Sequence, residues 1–436
     1  MKRLSLSAAV LAVTVALLAG CTDPGGTSST PSSTGGGDAT GVTDDTISIA
    51  YITPDLEQII EMGIMDAIED PQVMVDAMVD DVNARGGING RMIEAKVYAY
   101  DVLDIPASLN ATCVDVGEDD PTFVALSSSF FGDAVTCLTA DHGVPILMTG
   151  TIPREILDST QGRAWLFNNS GDRELAGTAE TLAARGALEG KVLGALWTTE
   201  RGQGQSVRDG LEPALEAEGY SLTAAIEISA PNTTADPASI QAAVQQLRDA
   251  GVTGVFMTSN QFNNSAIYTE AKAQNYFPTW FASDMNEAVA DNIFKTVPPE
   301  ILESAEGATW RRLQTDVGDS ASEEDRACRE IRDRVPSLEP LPEDELPMWG
   351  SFMEFCRMFQ IFEKALADAG DNPTRESFLE AMGRIGEFPM GTGSTGSFTP
   401  DKHEAPDALR PVRFDLSCPC WVEDGDWTEI TFPVAP

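Results

Sequence analysis

From Thr46 onward the chain alternates two kinds of segment, and that alternation limits its fold more than any single motif. Ile47 to Ile52 is a short apolar run of β type, and Pro71 to Ala84 then places Val75, Met78, Val79 and Val82 at helical spacing. Gly86-Gly87 stops that helix, and Met92 to Tyr100 reads as the next strand. The pattern continues with helix 107–116, strand 123–126, helix 131–141 and strand 145–148. A second series starts near Trp165, with strands at 192–197, 222–228, 255–258 and 279–282 and helices at about 174–185, 205–218, 237–250 and 264–274. Strands separated by helices pair in parallel, and their sheet is covered by helices on both faces. Two such series predict an α/β chain with two doubly wound parallel-sheet lobes.

The tail breaks the pattern. It carries an acidic helical region at 321–334, a Pro-rich spacer at 336–347 and a long helix from Met348 to Ala369. In that helix Phe352, Phe355, Cys356, Phe359 and Phe362 form one apolar stripe, which reads as core. Asp415, the cysteines after it and residues 421–432 read as late strands.

The first forty residues have a different purpose. Lys2 and Arg3 precede an apolar run that is too short to span a bilayer and ends in Leu18-Ala19-Gly20-Cys21. This stretch resembles the lipobox of bacterial lipoproteins, which implies cleavage before Cys21 and lipidation of its thiol. Between Thr22 and Thr40 every residue is Gly, Ser, Thr or Pro except Asp23, Asp38 and Ala39. Such a stretch cannot bury a core, so it reads as a flexible tether with a reach of about 25 Å. No later segment is long and apolar enough to cross a membrane.

Charge removes one class of partner. Asp and Glu number 69 against 28 Lys and Arg, a net charge of -41, so the surface would repel nucleic acid rather than bind it. Six cysteines remain beyond Cys21: Cys113, Cys137, Cys328, Cys356, Cys418 and Cys420. An even number in an exported chain favours disulfides, with Cys113 and Cys137 paired across one helix-strand-helix stretch. The other four allow three pairings. Cys418-Pro419-Cys420 is open to a metal or redox reading, but without a second cluster and with only two histidines, His142 and His403, structural disulfides and no metal are expected. The same shortage of histidine, and the lack of a phosphate loop, argue against an enzyme and against a cofactor.

The run Val82-Asn83-Ala84-Arg85-Gly86-Gly87-Ile88-Asn89-Gly90-Arg91-Met92-Ile93 is similar to a pattern of the type I periplasmic binding proteins, in the branch that includes leucine/isoleucine/valine-binding proteins of ABC importers. The likeness recurs in order at Tyr100-Asp101 with Pro106-Ala107, at Val144-Pro145-Ile146, at Arg201-Gly202-Gln203-Gly204 and at Gly396-Ser397-Phe398-Thr399. The chemistry of the first motif is structural: its glycines supply a helix stop and a tight turn, and it binds nothing.

The resemblance implies three segments crossing between the lobes, with ligand trapped by hinge closure. Lobe one would comprise 45–167 with 310–410, and lobe two 168–309 with 411–436. Ligand in such folds sits beyond the carboxyl ends of the strands. There Asp55, then Ser127, Ser128 and Ser129, then Thr149, Gly150 and Thr151 are the lobe-one candidates, and each hydroxyl serves either as a helix cap or as a ligand donor. In that family the second and third of these loops hold the carboxylate and ammonium of an amino acid. Lobe two offers Glu200, Arg201, Gln203, Asn260, Gln261 and Asp284. Arg201-Gly202 stands where the family often has Tyr-Gly, and Asn260-Gln261 where an aromatic often follows, so a more polar ligand than leucine is implied. Arg201 either meets a second carboxylate or pairs with Glu200 or Asp209; Asp284 either faces an ammonium or is salt-bridged at the surface. The resulting expectation is an extracytoplasmic lipoprotein, anchored through Cys21 to the outer face of the bacterial cytoplasmic membrane. It would act as a monomer, capture a small polar metabolite (an amino acid or a related amide or carboxylate) and hand it to an ABC permease. The same cleft would equally serve a receptor lipoprotein that signals to a membrane sensor.

Overall fold

The computed structural model describes residues 37–61, 68–129, 132–199, 202–230, 234–285, 289, 297–311, 313, 322–341, 352–391 and 393–431. The leader, Cys21, most of the tether and the latter half of the Pro-rich spacer lie outside these residues.

The first lobe is built on β1 (Thr46–Asp55), β2 (Met92–Asp101), β3 (Val124–Ser127), β4 (Ile146–Met148) and β5 (Ala164–Leu166). They form a parallel sheet in the order β2-β1-β3-β4-β5. β3, β4 and β5 are short and buried along their whole length, as strands covered on both faces must be. β2 alternates exposed and buried positions because it is the edge. On one face helix Pro71–Ala84 packs through Met74, Val75, Met78 and Val82, beside helix Phe352–Asp368. The aromatic stripe of that second helix is core as expected: Phe355 meets the Tyr51 ring at 4.5 Å, and Phe359 and Phe362 follow it inward. The other face is covered by the helices at 105–114 and 133–141.

Helix Pro71–Ala84 ends where its sequence requires. Gly86 and Gly87 lie at φ of 97° and 73°, and Asn89-Gly90 turns into β2 at 49° and 80°. At Gly87 a Cβ would sit 1.9 Å from the Arg91 carbonyl oxygen, so no other residue fits.

The second sheet contains β6 (Leu193–Thr198), β7 (Leu222–Ile228), β8 (Gly254–Thr258), β9 (Thr279–Ala282), β10 (Glu306–Thr309), β13 (Ala408–Asp415) and β14 (Cys420–Glu423). Its order is β14-β13-β10-β9-β8-β6-β7, with β15 (Thr428–Glu429) pairing β13. It is not wholly parallel: β13 runs antiparallel to β10, and β14 folds back on β13. The connection from β13 to β14 is too short for a parallel crossover, so a hairpin is the only pairing available. β10 and the small hairpin β11 (Gly386–Pro389) with β12 (Thr395–Phe398) carry no strand signal in the sequence, nor does helix Arg375–Met382 stand out there.

Cys113 pairs with Cys137 as expected, and the remaining four cysteines pair as Cys328–Cys356 and Cys418–Cys420. Among the described residues the one grouping with metal-ligand donors, Cys113, Cys137 and His142, has both sulfurs committed to the first disulfide. No described helix is long and apolar enough to cross a membrane.

Candidate functional site

Three strands of the first sheet deliver hydroxyls to one place. β3 ends on Ser127, whose Oγ donates to the Ile52 carbonyl at 2.9 Å and accepts the Ser129 amide at 3.1 Å. Ser128 Oγ lies 3.2 Å from Thr53 Oγ1 near the end of β1. Thr149, just past β4, donates to the Ser128 carbonyl at 2.6 Å, and its own carbonyl accepts Asn168 Nδ2. Short strands ending in small hydroxyl residues meet here at the carboxyl edge of the sheet, with the Ser128 amide donating to the Ile52 carbonyl at 3.2 Å and the Thr149 amide to the Ser127 carbonyl at 3.0 Å. Asp55 is exposed at the end of β1, where its carboxylate caps the Glu57 amide at 3.1 Å. Gly150 and Thr151 are half-buried in the loop after β4.

The hydroxyl group continues into a charged floor. Tyr51 is fully buried below Ser128 and Thr53, and burial pushes its phenol up, with the Glu354 carboxylate adding to the shift. Glu354, buried in helix Phe352–Asp368, lies 3.6 Å from Arg311 Nη1. Arg311 Nε is 3.7 Å from Asp284, which also takes the Thr309 hydroxyl at 2.7 Å and the Trp310 amide at 2.8 Å. The Asp284 amide donates to Glu174 at 3.2 Å, and Asn169 Nδ2 donates to the other Glu174 oxygen at 2.8 Å. Among the described residues, three buried carboxylates thus lie around the Arg311 guanidinium. Burial pushes both Glu174 and Asp284 up. Asp284 opposes the push with Arg311 and its own donors, whereas Glu174 has the Asp284 charge beside it and is driven to about 8.

This floor is where chain segments cross between the sheets. Leaving β5, residues 167–170 are tied to the segment after β12: the Leu166 amide donates to the His403 carbonyl at 2.7 Å, and the Ala405 amide to the Leu166 carbonyl at 2.9 Å. The buried Glu404 accepts the Ser170 amide at 2.6 Å and pairs with Arg154 at 2.5 Å. Arg173 donates to the Pro406 carbonyl at 3.0 Å. The third crossing runs through Trp310 and Arg311 to the Asp284 cluster.

The structure therefore brings Ser127, Ser128, Ser129 and Thr149 together. Asp284 reaches the same region only from below, through Arg311, Glu354 and Tyr51. It is salt-bridged but buried, not at the surface. Gln203 is buried beyond β6, its Oε1 accepting the Thr198 hydroxyl at 3.2 Å. Asn260 caps helix Gln261–Ala273 by accepting the Asn263 amide at 3.0 Å. Glu200, Arg201 and the Gln261 side chain lie outside what is described. Their neighbour Gly202, in the left-handed region at φ 72°, has no room for a side chain because Pro153 fills it at 2.4 Å, so the loops after β4 and β6 abut. The sequence reading missed Tyr51, Thr53, Asn169, Glu174, Arg311 and Glu354. Thr53 alone carried a local signal, as a hydroxyl at the end of an apolar strand.

Comparison with known proteins matches this arrangement. Residues 67–418 fit the family model described as periplasmic binding protein. No curated protein sequence matches the chain. Among solved structures, a fatty acid ABC transporter substrate-binding protein from Thermomonospora curvata is similar at TM-score 0.64 and 18% identity, covering 90% of this chain and 94% of that one. A possible leucine/isoleucine/valine-binding protein from Rhodopirellula baltica gives 0.64 and 17%, covering 89% and 98%. An ABC transporter solute-binding protein from R. palustris in complex with 4-hydroxybenzoate gives 0.64 and 13%, also over 89% and 98%. At these identities the structures share the type I two-lobed fold. The family model spans most of the chain, and with it the extracytoplasmic setting such proteins have: the chain belongs to the periplasmic binding protein family.

Proposed function

We propose that this protein is the substrate-binding lipoprotein of an ABC importer. It captures a small metabolite bearing a carboxylate, an amino acid or a related organic acid, and releases it unchanged to the permease. The observation that carries this reading is the convergence of Thr53, Ser127, Ser128 and Thr149 at the carboxyl edge of the first sheet, where the part-exposed Ser128 and Ser129 hydroxyls are placed to meet a ligand oxygen. The similar structures named above are titled for fatty acid, leucine/isoleucine/valine and 4-hydroxybenzoate, which share a carboxylate and little else. Beyond the cleft, Cys21 holds the lipid, the tether frees the body to meet the permease, and the protein works as a monomer. The lobes close about the crossings near 167, 310 and 405, with Gln203 and Asn260 on the lobe-two side.

The test is thermal unfolding of the chain from Thr22 onward against leucine, 4-hydroxybenzoate, a medium-chain fatty acid and neutral sugars. A ligand binding only the folded state at a hundred times its Kd adds about 2.7 kcal/mol, a shift of several degrees. Acids should shift the midpoint and sugars should not, and Ser128→Ala should weaken acid binding tenfold or more while costing the unliganded protein about 1 kcal/mol for the hydroxyl contact to Thr53. Shifts with sugars alone would refute the carboxylate assignment.

A further inference from the structure

The three disulfides differ in a way that pairing alone does not reveal. Cys328 and Cys356 are both fully buried in the core under helix Phe352–Asp368, and Cys113 is fully buried with Cys137 half-buried beside it. Cys418 is exposed. It sits in the turn between β13 and β14, flanked by exposed Leu416, Ser417 and Pro419, and is joined to Cys420 across a single residue. Cys420 opens β14 opposite Asp415 and is buried. The turn lies at the end of β13 remote from the crossings, so the bond neither lines the ligand region nor spans two elements.

A bond that closes so short a loop restrains little of the unfolded chain, so the fold hardly needs it. The hairpin beneath it is held otherwise. Trp421 is fully buried and meets Phe414 edge-on at 5.7 Å, and the ladder from Val412–Glu423 to Asp415–Cys420 continues below the turn. Asp415, at the start of the turn, has its charge paired with Arg413 at 3.3 Å. A bond that is exposed at one sulfur, stapled across one residue and dispensable to its surroundings is suited to exchange rather than to support.

We infer that Cys418–Cys420 is a thiol-exchange site, opened by an extracytoplasmic dithiol reductant while the other two disulfides stay closed. One thiolate of the reductant attacks Cys418 Sγ, the Cys418–Cys420 bond breaks, and its electron pair leaves on Cys420 as a thiolate that takes a proton from water. The second thiolate of the reductant then attacks its own sulfur in the mixed disulfide and frees Cys418. Two electrons reach the protein, and the reductant leaves as a disulfide. This assignment does not depend on the ligand-binding reading.

The test treats the folded chain with dithiothreitol at pH 8, quenches with acid at intervals, alkylates with iodoacetamide and maps the modified peptides. Cys418 and Cys420 should become alkylated at least tenfold faster than the other four cysteines, with far- and near-ultraviolet circular dichroism unchanged at that stage. Glutathione, a monothiol, should be trapped as an adduct on Cys418. The C418S/C420S variant should stay folded and lose only the fast pair. Opening no faster than Cys113–Cys137, opening that accompanies loss of near-ultraviolet signal, or an adduct on Cys420 instead would overturn the assignment.

Discussion

Glu174 provides the sharpest test of how the crossing region is held. It is fully buried, faces Asp284 across one backbone hydrogen bond, and shares Arg311 with Asp284 and Glu354. Burial, then the Asp284 charge, drives its carboxyl from an open-chain value of 4.5 to about 8. Between those values the folded protein holds a proton that the unfolded chain has released, so stability falls as pH rises through the window. From pH 6 to pH 8 the loss amounts to about 2 kcal/mol, because the slope of roughly 1.4 kcal/mol per pH unit falls to half as the folded carboxyl titrates near 8. Because Glu174 and Asp284 titrate as a pair, the proton belongs to both and the figure is the pair's. The assay is urea unfolding at half-unit pH steps for the parent and for Glu174→Gln. The variant keeps the volume and one acceptor and removes the titration, so its curve should be the flatter by about that amount, at a cost of about 1 kcal/mol below pH 6 for the hydrogen bond it cannot make. Two nearby groups also titrate. Burial lowers His403, and it lowers Lys402 to about 8 despite Asp407, so both act in the opposite sense and largely outside the window. They are common to both proteins and cancel in the difference. A parent curve that is flat or rising from pH 6 to 8, or a variant with the parent's slope, would refute the reasoning.

Other positions give equally direct outcomes. Gly87→Ala should cost about 2 to 4 kcal/mol and lower Tm by several degrees, because φ of 73° and the Arg91 carbonyl at 1.9 Å both oppose a Cβ. Arg375→Met should cost about 3 kcal/mol in urea, since it strips the donor from the Thr122, Phe123 and His142 carbonyls and the partner from Asp38. Cys113→Ala with Cys137→Ala removes a loop of separation 24 and should cost about 3.5 kcal/mol, against about 1.5 kcal/mol for Cys418→Ser with Cys420→Ser at separation 2, read as urea midpoints. Cys21→Ser should shift the protein from the membrane fraction to the medium, seen by immunoblot; retention on the membrane would refute the proposed lipid anchor.

What the sequence discloses and what it conceals divide along the range of the interactions involved. The Gly86-Gly87 and Asn89-Gly90 turns are legible because the φ values they require are local, and the parallel strands because burial on both faces writes itself as an unbroken apolar run. β10 is illegible for the same reason: Glu306-Gly-Ala-Thr has no intrinsic strand character and is one only because β9 and β13 flank it. The Ser127 and Thr149 loops could be picked out by position, since any doubly wound sheet ends its strands there. The Cys113–Cys137 bond spans neighbouring elements, whereas Cys328–Cys356 depends on helix Phe352–Asp368 docking against helix Glu323–Asp333.

Glu174, Asp284 and Glu354 show the limit most clearly. In a chain with 69 acidic residues each of them reads by default as solvated surface, and nothing nearby in sequence marks it otherwise. Their partners are remote: Asp284 lies 110 residues from Glu174 along the chain. A buried carboxylate survives only where a cation and several donors converge on it, and here that convergence exists solely because three chain crossings are stacked between two sheets. Arg311 therefore carries structural information that the large acidic excess hides. It is a cation paired with Asp284 and Glu354, and burial beside Asp284 drives the neighbouring Glu174 carboxyl toward its neutral form.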